Sequence, residues 1–257
     1  MRSYQHIILK EAKNHAELIL NRPEKRNALN DIFIEEIKSA LSLIENSRNI
    51  KTVSIKANGS AFCSGADLEH LKKMRNFSNT ENLQDSMALG RLYLQIYTMT
   101  KPVIAVVDGP ALAGGCGLAT VCDFIIASEK AKFGYPEVKI GFFAAMVSVF
   151  LIRQVGERVA KQLLLSGHTI NAKTAMRFGL INDVYMANQL EEAENLLLKS
   201  LHQNSGLAME HSKKLFSGNI EQEIETLAQK NADFRETSDF IEGINSFLEK
   251  RTPKWNS

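Results

Sequence analysis

The chain has 257 residues, 44% of them hydrophobic and 23% charged, which is the composition of an ordinary globular protein. A formal net charge of +2 excludes the strongly basic class of nucleic-acid-binding proteins, and no stretch reaches the roughly 20 apolar residues of a membrane span. Three cysteines without a CxxC pair and six histidines without an HExxH motif lack the common patterns of disulfide frameworks and metal sites, so we expect a reducing compartment and no metal.

The first predicted elements are a pair of strands. Residues 1–11 lead directly into a strand, without the apolar core of a signal sequence or an Arg-rich transit helix, so we expect a cytoplasmic protein. Strands are predicted at 6–11 and 15–20, because the turn-forming pair Lys13-Asn14 separates two apolar runs.

A helix and a further strand follow this pair. Asn30 is predicted to cap a helix over 31–46, in which the apolar residues recur at helical spacing. A strand is predicted at 52–57, followed by a loop over Gly59–Gly65 and a helix that begins near Ala66.

The middle of the chain continues the alternation. Residues 75–84 carry no regular pattern and are predicted to form a mobile segment, followed by a helix at 85–99. Short buried strands are predicted at 103–107 and 124–127, and the chain is expected to be mostly helical from residue 144. Strands that alternate with helices indicate an α/β protein with a largely parallel sheet and a helical C-terminal part.

Two strand-to-helix turns are the most informative feature of the sequence. Val53 to Leu68 and Val103 to Leu118 each contain an apolar strand, a turn and small residues that open a helix. Such turns deliver backbone N–H groups at helix N-termini, where the peptide dipoles favour negative charge. Two donors that converge on one oxygen would form an oxyanion hole.

Other interpretations of these turns are weaker. The glycines from Gly114 to Gly117 are also compatible with tight packing of a helix on a strand, but Thr120 stands where a dinucleotide-binding GxGxxG motif needs its third glycine. No GxSxG motif is present, and no histidine is adjacent to Cys63 or Ser64 in the sequence, so we interpret both as packing residues.

Several segments resemble those of one family. Together they run from residue 22 to 255 and follow each other in the family's order: RPEKRNALN (22–30), AFCSGADL (61–68), GPALAGGCGLATVCDF (109–124), FGYPEVKIG (133–141) and DFIEGINSFLEKRTPKW (239–255). On these segments the chain resembles the enoyl-CoA hydratase/isomerase, or crotonase, superfamily. Residues 140–156 are also similar to hydratases of leucine breakdown, such as methylglutaconyl-CoA hydratases.

The resemblance implies a fold and an assembly. The expected fold is α/β, with a crotonase (ClpP-like) ββα spiral core over 1–195 that holds the CoA and active sites. A helical region over 196–257 is expected to form homotrimers or homohexamers. The implied substrate is an acyl-CoA thioester, with CoA as part of the substrate and no separate cofactor. One branch of the family binds RNA through a lysine-rich first helix, but Lys38 is the only lysine between Asp31 and Asn46, so no nucleic acid and no membrane is expected as a partner.

The resemblance also assigns site residues. The oxyanion-hole N–H groups fall on Ala66 and Gly114, and Glu137 matches one of the family's two catalytic glutamates. Burial in an apolar pocket would raise the pKa of Glu137 toward neutrality. Lys25 or Arg26 is expected to meet the CoA phosphates, and the substrate-binding residues implied by the motifs are Arg26, Ala28, Ala66, Asp67, Leu68 and Gly114.

One departure from the family pattern leaves the reaction open. Family hydratases carry a second glutamate where this chain has Gly117, and two carboxylates hold the water that adds to the double bond. Family isomerases that convert 3-enoyl-CoA to 2-enoyl-CoA use the single glutamate. Hydration of 2-enoyl-CoA in fatty acid or branched-chain amino acid degradation and Δ3,Δ2 isomerisation therefore both remain, with a catalytically inactive member as a further alternative. If the pocket is otherwise conventional, Gly117→Glu is expected to raise hydration.

Overall fold

Strands and helices alternate through the first half of the chain in the computed structural model, which describes residues 4–255. The strands are β1 (Ile7–Ala12), β2 (Asn14–Leu20), β3 (Ile50–Ala57), β4 (Val103–Val107), β5 (Pro110–Leu112), β6 (Phe124–Ser128), β7 (Lys132–Gly134), β8 (Ile170–Asn171) and β9 (Asp183–Tyr185). The helices are α1 (Asp31–Asn46), α2 (Leu68–Met74), α3 (Asn79–Thr98), α4 (Gly114–Thr120), α5 (Ala145–Ser166), α6 (Ala172–Arg177), α7 (Leu190–His202), α8 (Gly206–Lys214), α9 (Ile220–Phe234) and α10 (Ser238–Glu249). Among these helices none is long and apolar enough to cross a membrane.

The strands form two sheets. The larger has the order β1-β2-β3-β4-β6-β9, in which β1 and β2 are antiparallel and every other neighbouring pair is parallel. The smaller has the order β5-β7-β8. All five residues of β4 are buried, as is typical of a parallel strand covered on both faces. The expected α/β architecture is therefore confirmed.

Several local predictions are confirmed. The antiparallel pair β1–β2 turns at Asn14, whose φ of 66° is the left-handed conformation that asparagine tolerates well. Asn30 caps α1, since its side chain accepts a hydrogen bond from the Phe33 N–H. The strand predicted at 103–107 has those bounds in the structure.

Two helix starts differ from the prediction. The segment 75–84 was expected to be irregular, but α3 already begins at Asn79 because Ser78 and Glu81 form a reciprocal capping box. The helix expected near Ala66 begins two residues later, after Asp67 caps it by accepting from the Glu69 N–H. In both cases a capping side chain, rather than the apolar periodicity, sets where the helix begins.

Four short strands, β5, β7, β8 and β9, are not predicted from the sequence. Each has only two or three residues, which is too short for an alternating pattern to be visible. The predicted division at 195 falls within α7, and the outer limits of the two predicted regions, residues 1 and 257, lie outside the described residues. That division stays a prediction.

The sheet places the two glycine-containing turns side by side. Because β3 and β4 are parallel neighbours, their carboxyl ends lie at the same edge of the sheet. Beyond this edge, the Leu112 N–H donates to the Cys63 carbonyl at 2.9 Å, and Cys63 pairs with Ala111 in an isolated parallel bridge. The chain that follows β3 is thus fixed to the chain that follows β4.

Candidate active site

The two turns approach most closely at Gly65. Its φ is 93°, a conformation that side chains rarely adopt. A Cβ at this position would lie 2.8 Å from the Ala113 Cβ and 3.6 Å from the Gly114 nitrogen. Glycine is therefore required both by the backbone conformation and by the space, and Ala66 is brought beside Gly114.

The first predicted donor, the Ala66 N–H, is oriented by a short parallel bridge. The Leu29 N–H donates to the Gly65 carbonyl at 2.7 Å, and the Asp67 N–H donates to the Leu29 carbonyl at 2.8 Å. Both bonds lie on one side of the segment, so the N–H of Ala66 points to the other side. It has no hydrogen-bond acceptor within residues 4–255, and Ala66 lines a cavity.

The second predicted donor is the N–H of Gly114, at the start of α4. Ala113 precedes it with φ 51° and ψ −130°, a conformation that costs an alanine about 1–3 kcal/mol. The Ala113 N–H donates to the Gly134 carbonyl at 2.9 Å, and the Tyr93 hydroxyl donates to the Gly114 carbonyl at 2.6 Å. These bonds hold the strained peptide, whose Gly114 N–H has no acceptor in the described part of the chain.

Glu137 lies in a 3₁₀ turn over Pro136–Ile140, between β7 and α5. Its Oε2 is out of contact with solvent and has no hydrogen-bond partner among the described residues. Burial raises the pKa of this carboxyl to about 7, against a smaller opposing effect of a backbone hydrogen bond. A carboxyl group with such a pKa can both accept and return a proton near neutral pH.

These groups share one cavity of about 700 Å³. Its wall is mostly apolar, with Leu71, Met74 and Phe142 among its residues. All of the predicted site residues line it: Lys25, Arg26, Ala28, Ala66, Asp67, Leu68, Gly114 and Glu137. Two other carboxylates, Asp67 and Asp85, also reach the cavity, but each is paired with an arginine at 2.6 Å.

The loop before α1 is fixed by a residue that the sequence analysis did not single out. Asn27 is fully buried, and its side chain accepts from the Arg22 N–H and donates to the carbonyls of Asn58 and Ala61. The Asn27 side chain thus ties the loop to the chain that follows β3. Arg26, its exposed neighbour, lies at the cavity wall, where a cation would suit a phosphate.

Asp67 is engaged within the fold. Besides capping α2, its side chain forms a buried ion pair with Arg22, with 2.6 Å between Oδ2 and Nη1. Arg22 also donates to the Ala28 carbonyl at 2.9 Å. Asp67 thus holds Ala28, through Arg22, and the start of α2 at the cavity wall.

Comparison with known proteins assigns the family. The family model described as enoyl-CoA hydratase/isomerase matches residues 10–257. The chain belongs to the enoyl-CoA hydratase/isomerase family. A Thermus thermophilus protein named as an enoyl-CoA hydratase is 39% identical over 248 residues, which is 95% of this chain and 98% of the relative. A crotonyl-CoA hydratase of Syntrophomonas wolfei is 37% identical over 256 residues, 97% of each chain.

Solved structures in the family share the fold. The crystal structure of a carnitinyl-CoA hydratase from Mycobacterium avium is 31% identical to this chain and superposes with a TM-score of 0.87. The match covers 99% of each chain. The α/β crotonase fold expected from the motifs is confirmed, and the chain is an enzyme of the hydratase/isomerase family.

Tyr93 occupies the place that a second glutamate would need in this hydratase/isomerase. A Cβ at Gly117 would lie 2.3 Å from the Tyr93 Oη and 2.7 Å from its Cζ. Tyr93 is only 1% exposed, so its ring is enclosed by the surrounding fold. Tyr93 is not recognisable from the sequence, because it lies 24 residues before Gly117 in the chain and no short motif links them.

The cysteines are packing residues in this enzyme. Cys63, Cys116 and Cys122 are all buried, and burial raises the pKa of the Cys63 and Cys116 thiols to about 12. A thiol with so high a pKa is not a nucleophile at neutral pH. The interpretation of Cys63 as a packing residue is therefore confirmed, whereas Ser64 is half-buried and lines the cavity.

Two clusters of histidine and carboxylate side chains could in principle bind a metal ion, but in each of them a lysine or an arginine pairs with the carboxylates. His15, Glu17 and Glu194 have ligand atoms within 4.8 Å of one another, and the Lys56 ammonium group bonds to both glutamates at 2.6 Å. The other cluster is Asp31, His70 and Asp85, of which Asp85 bonds to the guanidinium group of Arg235. The expectation of an enzyme without a metal stays a prediction.

Proposed function

We propose that this enzyme hydrates 2-enoyl-CoA thioesters by stabilising the enolate of the thioester. One observation carries the proposal: the desolvated carboxyl of Glu137 and the unengaged N–H groups of Ala66 and Gly114 line the same cavity. The names of the relatives, enoyl-CoA hydratase and crotonyl-CoA hydratase, support the choice of hydration.

The two N–H groups act on the thioester carbonyl. When water adds to the β-carbon, negative charge develops on the thioester oxygen, and both N–H groups donate to it. Because Gly65 and the strained Ala113 hold these donors in place beforehand, little reorganisation is needed during the reaction. Removing one such donor typically costs about 3–4 kcal/mol of transition-state stabilisation.

Glu137 transfers the proton. As a carboxylate it takes one proton from the attacking water, whose oxygen bonds to the β-carbon. The double-bond electrons move to the enolate, and protonated Glu137 then gives the proton to the α-carbon, so that one water is added and the carboxylate is restored. A pKa of about 7 suits both steps.

The wider substrate contacts follow from the position of the cavity. Lys25 and Arg26 are exposed at its wall and are proposed to meet the CoA phosphates, and Ala28 and Leu68 are proposed to contact the CoA chain. CoA arrives with the substrate, and we propose no further cofactor. Three buried free thiols support a reducing compartment, for which we propose the cytoplasm, and fatty acid or branched-chain amino acid degradation as the setting.

A second candidate reaction has its own supporting observation. The Tyr93 ring fills the space beside Gly117, so a glutamate at that position has no room to hold the attacking water. Glu137 alone can remove a proton from the α-carbon of 3-enoyl-CoA and return it two carbons away. This would make the enzyme a Δ3,Δ2-enoyl-CoA isomerase.

Parallel assays of the two reactions test the proposal. Hydration of 2-hexenoyl-CoA and isomerisation of 3-hexenoyl-CoA are to be followed with the parent enzyme and with Glu137→Gln. We expect hydration to be the faster reaction of the parent and to be lost in Glu137→Gln, while CoA thioester binding is retained. Faster isomerisation would favour the second candidate, and equal rates in parent and variant would remove Glu137 from either mechanism.

A further inference from the structure

The backbone of Glu137 is bonded to the loop that follows it. The 3₁₀ turn over Pro136–Ile140 ends at Gly141, whose φ is 61°. The Glu137 carbonyl accepts hydrogen bonds from the N–H groups of Gly141 and Phe142, the second at 2.9 Å. The chain then passes through Phe143 and enters α5. Because of these bonds, the position of the Glu137 side chain depends on where this loop, residues 141–144, lies.

One side chain of α9 ties the 141–144 loop to the rest of the fold. Asn231 is 4% exposed, and its Nδ2 donates to the Phe143 carbonyl at 2.9 Å. Its Oδ1 accepts from Arg235 Nε, one helical turn further along α9, at 2.7 Å. Both ends of the amide are therefore engaged, one by the loop and the other by Arg235. A buried amide that is satisfied at both ends has a fixed orientation.

Arg235 makes a second contact with the same loop. Its guanidinium group lies over the Phe142 ring, with 5.2 Å between Cζ and the ring centroid, which is within the range of a cation–π interaction. Asp85 of α3 holds Arg235 in turn, with 2.6 Å between Oδ2 and Nη1. Asn231 and Arg235 thus connect two consecutive residues of the loop to α9 and, through Asp85, to α3.

The aromatic contacts of the loop involve the same C-terminal helices. The Phe142 and Phe240 ring centroids are 4.9 Å apart, and those of Phe143 and Phe234 are 5.9 Å apart. Apolar packing is non-directional, whereas a hydrogen bond restricts both a distance and an angle. The bond from Asn231 is therefore the contact that fixes the position of the Phe143 carbonyl along α9.

We propose that Asn231 is a positioning residue of this enzyme, which acts through the 141–144 loop to keep the Glu137 carboxyl in its buried place at the cavity wall. The inference rests on the proposed function, in which Glu137 transfers the proton. Asn231 itself lines the cavity, but this role needs no contact with the substrate. Without its bond the loop moves away from α9, water reaches the Glu137 carboxyl, and the carboxyl is misplaced relative to the substrate.

A double-mutant cycle in urea unfolding tests this coupling without relying on turnover. Because burial raises the pKa of Glu137 to about 7, Glu137→Gln is expected to raise the urea midpoint at pH 8. Asn231→Leu removes the amide and keeps a side chain of similar size. In the Asn231→Leu background the gain from Glu137→Gln should fall to less than half, since the carboxyl is then already hydrated.

Ile224→Ala is the matched control for a general loss of stability. Ile224 is 1% exposed and lies on α9 about two helical turns before Asn231. It lies against Gly90 of α3 and is not among the residues that line the cavity. Truncation leaves a space in the core and destabilises the protein, but the gain from Glu137→Gln should be as large as in the parent.

Steady-state kinetics give a second readout. Asn231→Leu should lower kcat for 2-hexenoyl-CoA about tenfold, because the carboxyl of Glu137 is no longer held against the reacting carbons. KM should change less than about threefold, because the proposed thioester contacts at Ala66 and Gly114 are left in place. Ile224→Ala should keep the kcat of the parent.

The outcomes separate this role from the proposed function. The role of Asn231 is overturned by a gain from Glu137→Gln that is absent in the parent, unchanged by Asn231→Leu, or lost equally in Ile224→Ala. An unchanged kcat in Asn231→Leu also overturns it, while turnover by the parent leaves the proposed function standing. If the parent converts neither hexenoyl-CoA, the proposed function fails, and the stability cycle still decides whether Asn231 holds Glu137. Asn231→Ala, which also lacks the amide, takes the same place in the cycle if Asn231→Leu does not fold.

Discussion

Glu137 is a single residue whose environment is predicted to set the pH dependence of the enzyme. Because burial raises the pKa of its carboxyl to about 7, the group is protonated at pH 6 and ionised at pH 8. If the carboxylate is the base that acts first, kcat/KM should rise with pH and level off above a midpoint near pH 7. A pH–rate profile for 2-hexenoyl-CoA, with the rate of the non-enzymatic reaction subtracted, measures this. A profile that is flat from pH 5.5 to 8.5 would contradict it.

The same burial makes Glu137 unfavourable for stability above neutral pH. In the unfolded chain the carboxyl ionises near its ordinary value of 4.5, whereas the folded protein holds the proton up to about pH 7. Stability is therefore lost between these two values, by about 3 kcal/mol in full. Glu137→Gln should be more stable than the parent to urea at pH 8 by up to that amount, and the difference should shrink at pH 5. Glu225→Gln, on the exposed face of α9, is the matched control.

Tyr93 is predicted to position the Gly114 donor rather than to bind substrate. Burial raises the pKa of its hydroxyl well above the usual range, so it remains a donor to the Gly114 carbonyl. Tyr93→Phe should loosen this peptide and lower kcat about tenfold, with a smaller change in KM, since one hydrogen bond contributes about 0.5–1.5 kcal/mol. Tyr97→Phe, one turn further along α3, is the matched control. An equal loss in both variants would argue against a specific role for Tyr93.

At the scale of elements, the contact between α3 and α4 argues against one expectation from the sequence. Gly117→Glu was expected to restore a second carboxylate, but even the Cβ of Gly117→Ala would collide with Tyr93. Gly117→Ala should therefore destabilise the protein by about 1–3 kcal/mol, and Gly117→Glu should not raise hydration. Thermal unfolding measures the first effect, with Gly206→Ala as control, because no atom of a distant described residue lies within 4 Å of a Cβ added there. A Gly117→Ala protein as stable as the parent would contradict this account.

Features that are decided by residues close together in the sequence could be predicted, whereas features that depend on contacts between distant residues could not. Asn30, the β4 strand and the two glycine-containing turns are recognisable because a cap, an apolar run or a turn is decided by neighbouring residues. The contact between Tyr93 and Gly117 is not, since it depends on how two helices pack. Short strands such as β9 are likewise defined by their pairing with a distant strand and carry no local pattern of their own.

The whole molecule leaves apolar side chains exposed near its C-terminal end. Within the described chain, Leu207 of α8 is 65% exposed, and Leu215 and Phe216, just after that helix, are 82% and 67% exposed. No residue of α8 is buried. Exposed apolar surface of this kind is often covered in an assembly. These side chains therefore support the expectation that the C-terminal helices form homotrimers or homohexamers.

The mass of the particle in solution tests that expectation. We predict that light scattering of the parent enzyme gives three or six times the mass of one chain. A charge in place of Phe216 (Phe216→Glu) should lower the mass toward that of one chain, because burying an unpaired carboxylate in an apolar contact is costly. Leu165→Glu, at a 75% exposed position at the end of α5, tests whether any exposed leucine has the same effect. A monomeric parent would contradict the expected assembly, and dissociation by Leu165→Glu but not by Phe216→Glu would place the assembly surface outside the C-terminal helices.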